Sequence, residues 1–434
     1  MKRFLIASFT VLVSLSSQAQ SQHCLADRYS QTALFDSSDI QITTGVHYAT
    51  SMRWPGTQMD SLRMDVYQPS PTSDPLEKRP LIVMMHGGAY AAGNKNDIAS
   101  FCFQMARRGY VSVTVQYRLG WDCIPNGLFT ACSDCSTHAA ELKIAAYRAV
   151  QDHRAAMRHM VHYAEDFGID TAFVFVGGVS AGSIATLHSA HWNQSEADTF
   201  CPTCTDEVGL LDTTGNDLTD TYTIKGIINN CGAVENLDIL DGHNIPIIGF
   251  HDDGDCSVPY NSGAVLNCGL WTCSSFFWAR GSNLIRGRLA QSGTCYQMNT
   301  TLGPGHCSYY DSHFWSMLGK STCFLKSILC GNCTNVVNDI WNVDNVPNCS
   351  AGGTISIQEN EAQELVKLNG NRLILDQEAH VSSIQIFDLS MRLLVDVPVN
   401  GTNEVQLPTS LRGCMVVKVD SENSSSEVKK WCNF

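Results

Sequence analysis

Gly178-Val179-Ser180-Ala181-Gly182 sets a serine among small residues, directly after an apolar strand-like run (Ala172 to Val176) and before a helix-like stretch (Ser183 to His191). A sharp strand-to-helix turn needs small neighbours and lifts the serine hydroxyl clear of a sheet, while the N-terminus of the next helix favours developing negative charge. The setting predicts that Ser180 is a nucleophile. A serine hydroxyl is weak until a base takes its proton, and that base needs a carboxylate to orient it. On such an elbow the partners are expected in the chain order acid, then histidine. After the apolar run Ile245 to Phe250, three carboxylates compete in His251-Asp252-Asp253-Gly254-Asp255-Cys256-Ser257-Val258-Pro259: Asp252, Asp253 and Asp255. Of the fourteen histidines, His306 stands out by this order and by its loop, Gly303-Pro304-Gly305-His306. His188 reads as packed on the helix after Ser180, and His138, His153, His159 and His162 as helix-surface residues. A further piece, His86-Gly87-Gly88-Ala89-Tyr90, ends the run Leu81 to Met85. Glycines at a strand end let backbone N–H groups approach an oxyanion closely.

These pieces need a sheet to hold them. Leu81-Ile82-Val83-Met84-Met85 is apolar on both faces, as suits a central strand of a parallel sheet covered by helices. Gly45 to Tyr48 and Leu62 to Tyr67 read as strands before it, and Val111 to Val115, Ile224 to Asn229 and Ile245 to Phe250 as strands after it. Helical stretches fall at Asp97 to Arg108 and His138 to Phe167. Strands alternating with helices predict a doubly wound, mostly parallel α/β sheet. Beyond about Cys330 the pattern changes. Residues 331 to 356 are rich in Asn, Gly and Ser and read as a linker. Short strand-like pieces follow (365 to 368, 372 to 375, 383 to 387, 393 to 397 and 415 to 419), predicting a small all-β sandwich.

His86-Gly87-Gly88-Ala89, Tyr117-Arg118-Leu119-Gly120, the Ser180 elbow, Asp255 with Val258-Pro259, and His306 together resemble the esterase branch of the α/β-hydrolases, the carboxylesterase and hormone-sensitive-lipase-like group. The resemblance covers roughly residues 42 to 330. It implies a carboxylic-ester hydrolase with a Ser180–His306–Asp255 triad, Asp255 being favoured because esterases and peptidases of this fold place their acid at that distance from the Val-Pro step; the signal-like start and the cysteines described below make it a secreted one. It also implies an oxyanion hole from the N–H groups of Gly88, Ala89 and Ala181. The group usually carries a third glycine where this chain has Ala89; only the backbone N–H is needed, although the acyl side could be narrower. No metal or organic cofactor is implied. The rival enzyme is a serine peptidase of the prolyl-oligopeptidase type, which usually brings a β-propeller that has no room before residue 42. The non-enzymatic rival is a hydrolase-fold binding protein that has lost catalysis, against which stand all three triad residue types in order.

Composition narrows the setting. The 434 residues are 44% hydrophobic and 16% charged, which fits a globular chain with a substantial core. A formal charge of −14 disfavours nucleic acid or anionic membrane partners, which call for basic patches. Lys2 and Arg3, the apolar run Phe4 to Leu15 and Ser17-Gln18-Ala19 read as a secretory signal over residues 1 to 19, too short to span a bilayer. The mature chain is expected to carry no membrane span. Nineteen cysteines agree with export, and their odd number predicts at least one without an internal partner, with Cys102 the candidate. Three C-x-x-C pairs occur, Cys132/Cys135, Cys201/Cys204 and Cys330/Cys333, and an exported chain favours disulfides over zinc there.

The expected domains are the signal, a catalytic domain over 24 to 330, a linker over 331 to 354 and a β-sandwich over 355 to 434. Ile384-Gln385-Ile386-Phe387-Asp388-Leu389, the turn Leu411-Arg412-Gly413, Met415 to Val419 and the closing Lys429-Lys430 resemble the C-terminal sorting domain of the bacterial type IX secretion pathway. The usual Tyr-Pro-Asn-Pro opening is missing, and cysteines at 414 and 432 depart from the pattern. The resemblance implies passage through the periplasm to the cell surface or medium, with the secretion machinery as partner. A carbohydrate-binding or structural β-module is the alternative.

Overall fold

The computed structural model describes residues 22–121, 135–268, 276–338 and 346–350, together with the strands of the C-terminal segment. The signal-like start, Cys123 and Cys132 lie outside the described residues. The chain divides into two units, Met1–Ile355 and Ser356–Phe434.

In the first unit nine strands make one sheet: β1 (Ile40–Met52), β2 (Met59–Pro69), β3 (Arg79–Met85), β4 (Val111–Val115), β5 (Ile169–Val179), β6 (Ile224–Asn230), β8 (Ile247–Asp252), β11 (Tyr296–Thr301) and β12 (Val336–Asn338). Three short strands, β7 (Ala233–Val234), β9 (Ser262–Ala264) and β10 (Trp278–Gly281), form a separate small sheet. The main sheet runs β1-β2-β4-β3-β5-β6-β8-β11-β12. β1 and β2 are antiparallel to each other, and β2 is antiparallel to β4. From β4 to β12 every pairing is parallel. This large mixed sheet fits an α/β-hydrolase fold.

The helices are α1 (Ala99–Ala106), α2 (Cys135–His162), α3 (Ala164–Phe167), α4 (Ala181–His191), α5 (Gln194–Phe200), α6 (Cys204–Val208), α7 (Ser282–Ser292), α8 (Tyr309–Ser312) and α9 (Phe314–Leu329). Side chains alternate across a strand, and β3 shows what that does here. Leu81, Val83 and Met85 join one core cluster with Tyr147 of α2 and Ile184 and Leu187 of α4. Ile82 and Met84 join the other, with Phe101 and Met105 of α1 and Leu318 and Phe324 of α9. Both faces are covered, which is why β3 is apolar throughout. Removing each such side chain from water stabilises the fold by about 1.5–3 kcal/mol.

The last two strands of the sheet had no clear alternation in the sequence. β11 pairs with β8, and β12 lies within the stretch read as a linker. Two disulfides, Cys295–Cys333 and Cys323–Cys349, fasten that stretch to the catalytic unit, and Cys24–Cys330 ties the N-terminal segment to the end of α9. Of the C-x-x-C pairs, Cys201 and Cys204 bond each other, whereas Cys330 and Cys333 bridge to separate partners. Cys102 is free and buried in α1; burial pushes its thiol up to about 12, so it stays protonated and inert.

His153 departs from its reading as a surface residue. It is fully buried and bonds Ser189 of α4 at 2.7 Å, because α2 packs against α4 on the side that carries it. Among the described residues no helix is long and apolar enough to cross a membrane.

In the second unit the strands β13 (Val366–Asn369), β14 (Arg372–Leu375), β15 (Val381–Asp388), β16 (Leu393–Pro398), β17 (Glu404–Gln406), β18 (Gly413–Ser421) and β19 (Ser426–Asn433) form two antiparallel sheets. Their orders are β13-β14-β17 and β16-β15-β18-β19.

Candidate active site

Ser180 follows β5 and is the cap of α4, with φ +55°. A non-glycine residue in this region is strained, and such strain persists only where the surroundings enforce it. Here close packing does so. A Cβ on Gly178 would stand 2.4 Å from the Gly182 carbonyl carbon, and one on Gly182 would stand 2.3 Å from the His86 carbonyl oxygen. The small residues of the elbow are therefore required by the approach of the turn to itself and to the end of β3.

Ser180 Oγ lies 2.8 Å from His306 Nε2, and His306 Nδ1 lies 2.7 Å from Asp255 Oδ2. Asp255 is ionised and can only accept, so Nδ1 carries the proton and the Ser180 hydroxyl donates to Nε2. The other Asp255 oxygen accepts the N–H groups of Ser257 (2.8 Å) and Val258 (3.1 Å). His251 adds a further contact, with Nε2 at 3.3 Å from Asp255 Oδ2 and 3.0 Å from the Val258 carbonyl. Burial is the largest influence on Asp255 and pushes its carboxyl up. The hydrogen bonds and charges of His251 and His306 outweigh it and hold the carboxyl below its ordinary value.

The other two candidate acids do different work. Asp252 accepts the N–H of Ser308 at 2.9 Å and its hydroxyl at 2.5 Å, and Asp253 accepts the Gly303 N–H at 2.7 Å. Both clamp the ends of the loop that carries His306, and neither is hydrogen-bonded to the imidazole. A disulfide, Cys231–Cys307, holds the same loop from the end of β6. Cys231, His306 and Cys307 also stand close enough to suggest a metal site, but the bond leaves neither sulfur as a thiolate ligand.

On the opposite side of Ser180 the chain leaves β3 through three residues with positive φ: Gly88 (+109°), Ala89 (+52°) and Tyr90 (+60°). A Cβ at Gly88 would stand 2.2 Å from the Ala92 carbonyl oxygen. Ala181 is the first residue of α4, so its N–H has no intrahelical acceptor. Supports lie beneath. The Tyr117 hydroxyl donates to the His86 carbonyl (3.0 Å), and its ring stacks on His86 at 4.3 Å. The Trp121 indole N–H donates to the Ala89 carbonyl at 2.7 Å. Arg118 is bound by Asp152 of α2 through its own backbone N–H (2.7 Å) and its guanidinium (2.9 Å). The Tyr117-Arg118-Leu119-Gly120 motif thus braces the loop after β3. Its aromatic and charged residues were visible in the sequence, but their partners were not. His251 was not singled out as a site residue; its position directly before the acidic segment was the available signal.

The model of the carboxylesterase family matches residues 16–200. No curated protein sequence matches the chain. Among solved structures, the propionate-bound esterase 2 of Thermogutta terrifontis is 15% identical with a TM-score of 0.43, the match covering 69% of this chain and 97% of that one. The same enzyme phosphoramylated by tabun is 16% identical with a TM-score of 0.44, covering 69% and 97%. A truncated carbohydrate esterase from gut microbiota is 16% identical with a TM-score of 0.44, covering 68% of this chain and all of that one (100%). With the family match, the chain is a serine carboxylic-ester hydrolase.

Proposed function

We propose that Ser180 is the nucleophile, His306 the general base and acid, and Asp255 the group that orients and stabilises the imidazole. The observation that carries this reading is the continuous hydrogen-bonded chain from Ser180 Oγ through His306 to Asp255, at 2.8 and 2.7 Å. As Oγ bonds to the ester carbonyl carbon, its proton passes to His306 Nε2. The oxyanion is received by the N–H groups of Gly88, Ala89 and Ala181, with the N-terminus of α4 behind it. The C–OR bond then breaks, His306 gives the proton to the leaving oxygen, and the alcohol departs. Water attacks the acyl-enzyme with the same proton relay, releasing the carboxylic acid and restoring Ser180. The hole needs only backbone N–H groups, so Ala89 serves where relatives of this type carry glycine.

The same reading makes residues 1–19 an export signal and residues 355–434 a sorting module for a secretion machinery. The basic start with its apolar run, the described disulfides and the strand pattern of the tail support it. Ser180→Ala is the direct test of the chemistry. Turnover of p-nitrophenyl acetate is expected to fall by roughly 10⁴–10⁶-fold with the fold unchanged by circular dichroism, and covalent labelling by an organophosphonate is expected to vanish. A folded S180A protein with substantial turnover removes Ser180 from the mechanism.

A further inference from the structure

Proton transfer divides the site into two sides. The leaving oxygen must reach His306 Nε2, so the alcohol lies toward His306, whose side chain is 32% exposed. The acyl group must then lie where Ser180, Ala89 and Ala181 share a hollow that His306 does not line. Such a hollow exists. Its further walls include Tyr90, Leu142, Ile184, Val258 and Phe277, each under 8% exposed. Its volume is only about 20 Å³. The hollow is thus small and walled by packed side chains, which favours a short acyl chain. Its walls are built from the backbone-anchored face of α4, from α2 and from the loop at Tyr90, so widening it means displacing packed core.

On the far side of Phe277 lies a second hollow of about 390 Å³, lined also by Phe200, Glu235 and Trp278. Phe277 alone among the described lining residues borders both. Its ring sits edge-on to Phe200 at 5.2 Å, which holds it in place as the partition.

We propose, on the reading of Ser180, His306 and Asp255 given above, that the enzyme is an acetyl esterase and that Phe277 is the residue that limits the acyl group to two carbons. An acetyl carbonyl places its single methyl in the 20 Å³ hollow. Each further methylene has to push into packed side chains, and one misfitting methylene in such a pocket is worth about 10–200-fold in kcat/KM. Removing the Phe277 ring joins the hollow to the larger one and gives a longer chain somewhere to go.

The test is a p-nitrophenyl ester series (acetate, propionate, butyrate and hexanoate) on the purified full-length protein and on Phe277→Ala. For the wild type, kcat/KM is expected to fall at least ~10-fold from acetate to propionate and again to butyrate. For F277A, the ratio of hexanoate to acetate kcat/KM is expected to rise at least ~10-fold over the wild type. Phe277→Leu, which keeps an apolar wall but shortens it, serves if F277A does not fold, and is expected to admit butyrate. A wild-type profile that is flat or peaks at butyrate overturns the acetyl limit. A variant profile as steep as the wild type overturns the role of Phe277. Absence of turnover on every ester, with no organophosphonate label on Ser180, strikes the triad reading instead.

Discussion

Replacing Asp255 with asparagine changes one atom, and the surroundings dictate where that atom goes. Oδ1 faces two N–H donors, from Ser257 and Val258, at 2.8 and 3.1 Å. An amide nitrogen there would oppose both donors, so the amide oxygen takes that position and the NH₂ group takes the place of Oδ2. It then points at His306 Nδ1, 2.7 Å away in the native protein, and donates to it. A neutral imidazole that accepts at Nδ1 carries its proton on Nε2. Nε2 then donates toward Ser180 Oγ and can no longer accept its proton. The expected loss in kcat is on the order of 10⁴, the size seen where this tautomer exchange has been imposed on a Ser-His-Asp triad, and equal to about 5.4 kcal/mol of transition-state stabilisation. Asp252→Asn keeps an oxygen for Ser308, and Asp253→Asn keeps one for Gly303, so each is expected to cost less than about 30-fold, roughly the two kcal/mol of one weakened charged hydrogen bond. The assay is kcat for p-nitrophenyl acetate, with circular dichroism as the check on folding. If D255N retained a tenth or more of the wild-type rate while D252N or D253N lost a thousandfold, the assignment of the acid would be refuted.

Three further outcomes follow from other parts of the molecule. Cys231→Ala/Cys307→Ala removes the covalent tie beside His306 and is expected to lower kcat more than it raises KM, since Asp252 and Asp253 still hold the loop ends; an unchanged kcat would show that those carboxylates suffice. A chain ending shortly after Cys349 retains the Cys323–Cys349 bond and the whole nine-stranded sheet, so it is expected to keep full turnover on a small ester but to accumulate in the periplasm of the native host. Normal secretion of that shortened chain would contradict the sorting role of the tail. Burial lowers His153 from 6.5 to about 3, with the Arg154 charge adding to it. The unfolded chain therefore binds a proton there that the folded one does not, and the stability this contributes is present above pH 6.5 and lost as pH falls toward 3. Chemical denaturation from pH 7 to pH 4 is expected to show a shallower loss in His153→Gln than in the wild type; equal slopes would refute the assignment.

Much of the proposed catalytic apparatus could be read along the chain because each piece is local. The elbow at Ser180 is a five-residue steric requirement, and β3 announces two covered faces by five apolar residues in succession. His306 was singled out by chain order and by its glycine loop. Other features were illegible for a common reason, namely that they depend on what a residue meets far along the chain. Three carboxylates within four residues are alike in sequence, and they part company only because Asp255 faces His306 while Asp252 and Asp253 face Ser308 and Gly303. His153 looked solvent-facing on its helix until α4 packed over it. Cys330 and Cys333 have the spacing of a local pair, yet the fold brings Cys24 and Cys295 to them first. Local sterics, hydrophobic pattern and the esterase-like motifs were enough to point to the chemistry; which carboxylate faces His306 and which cysteine pairs with which are set by distances that exist only once the sheet is assembled.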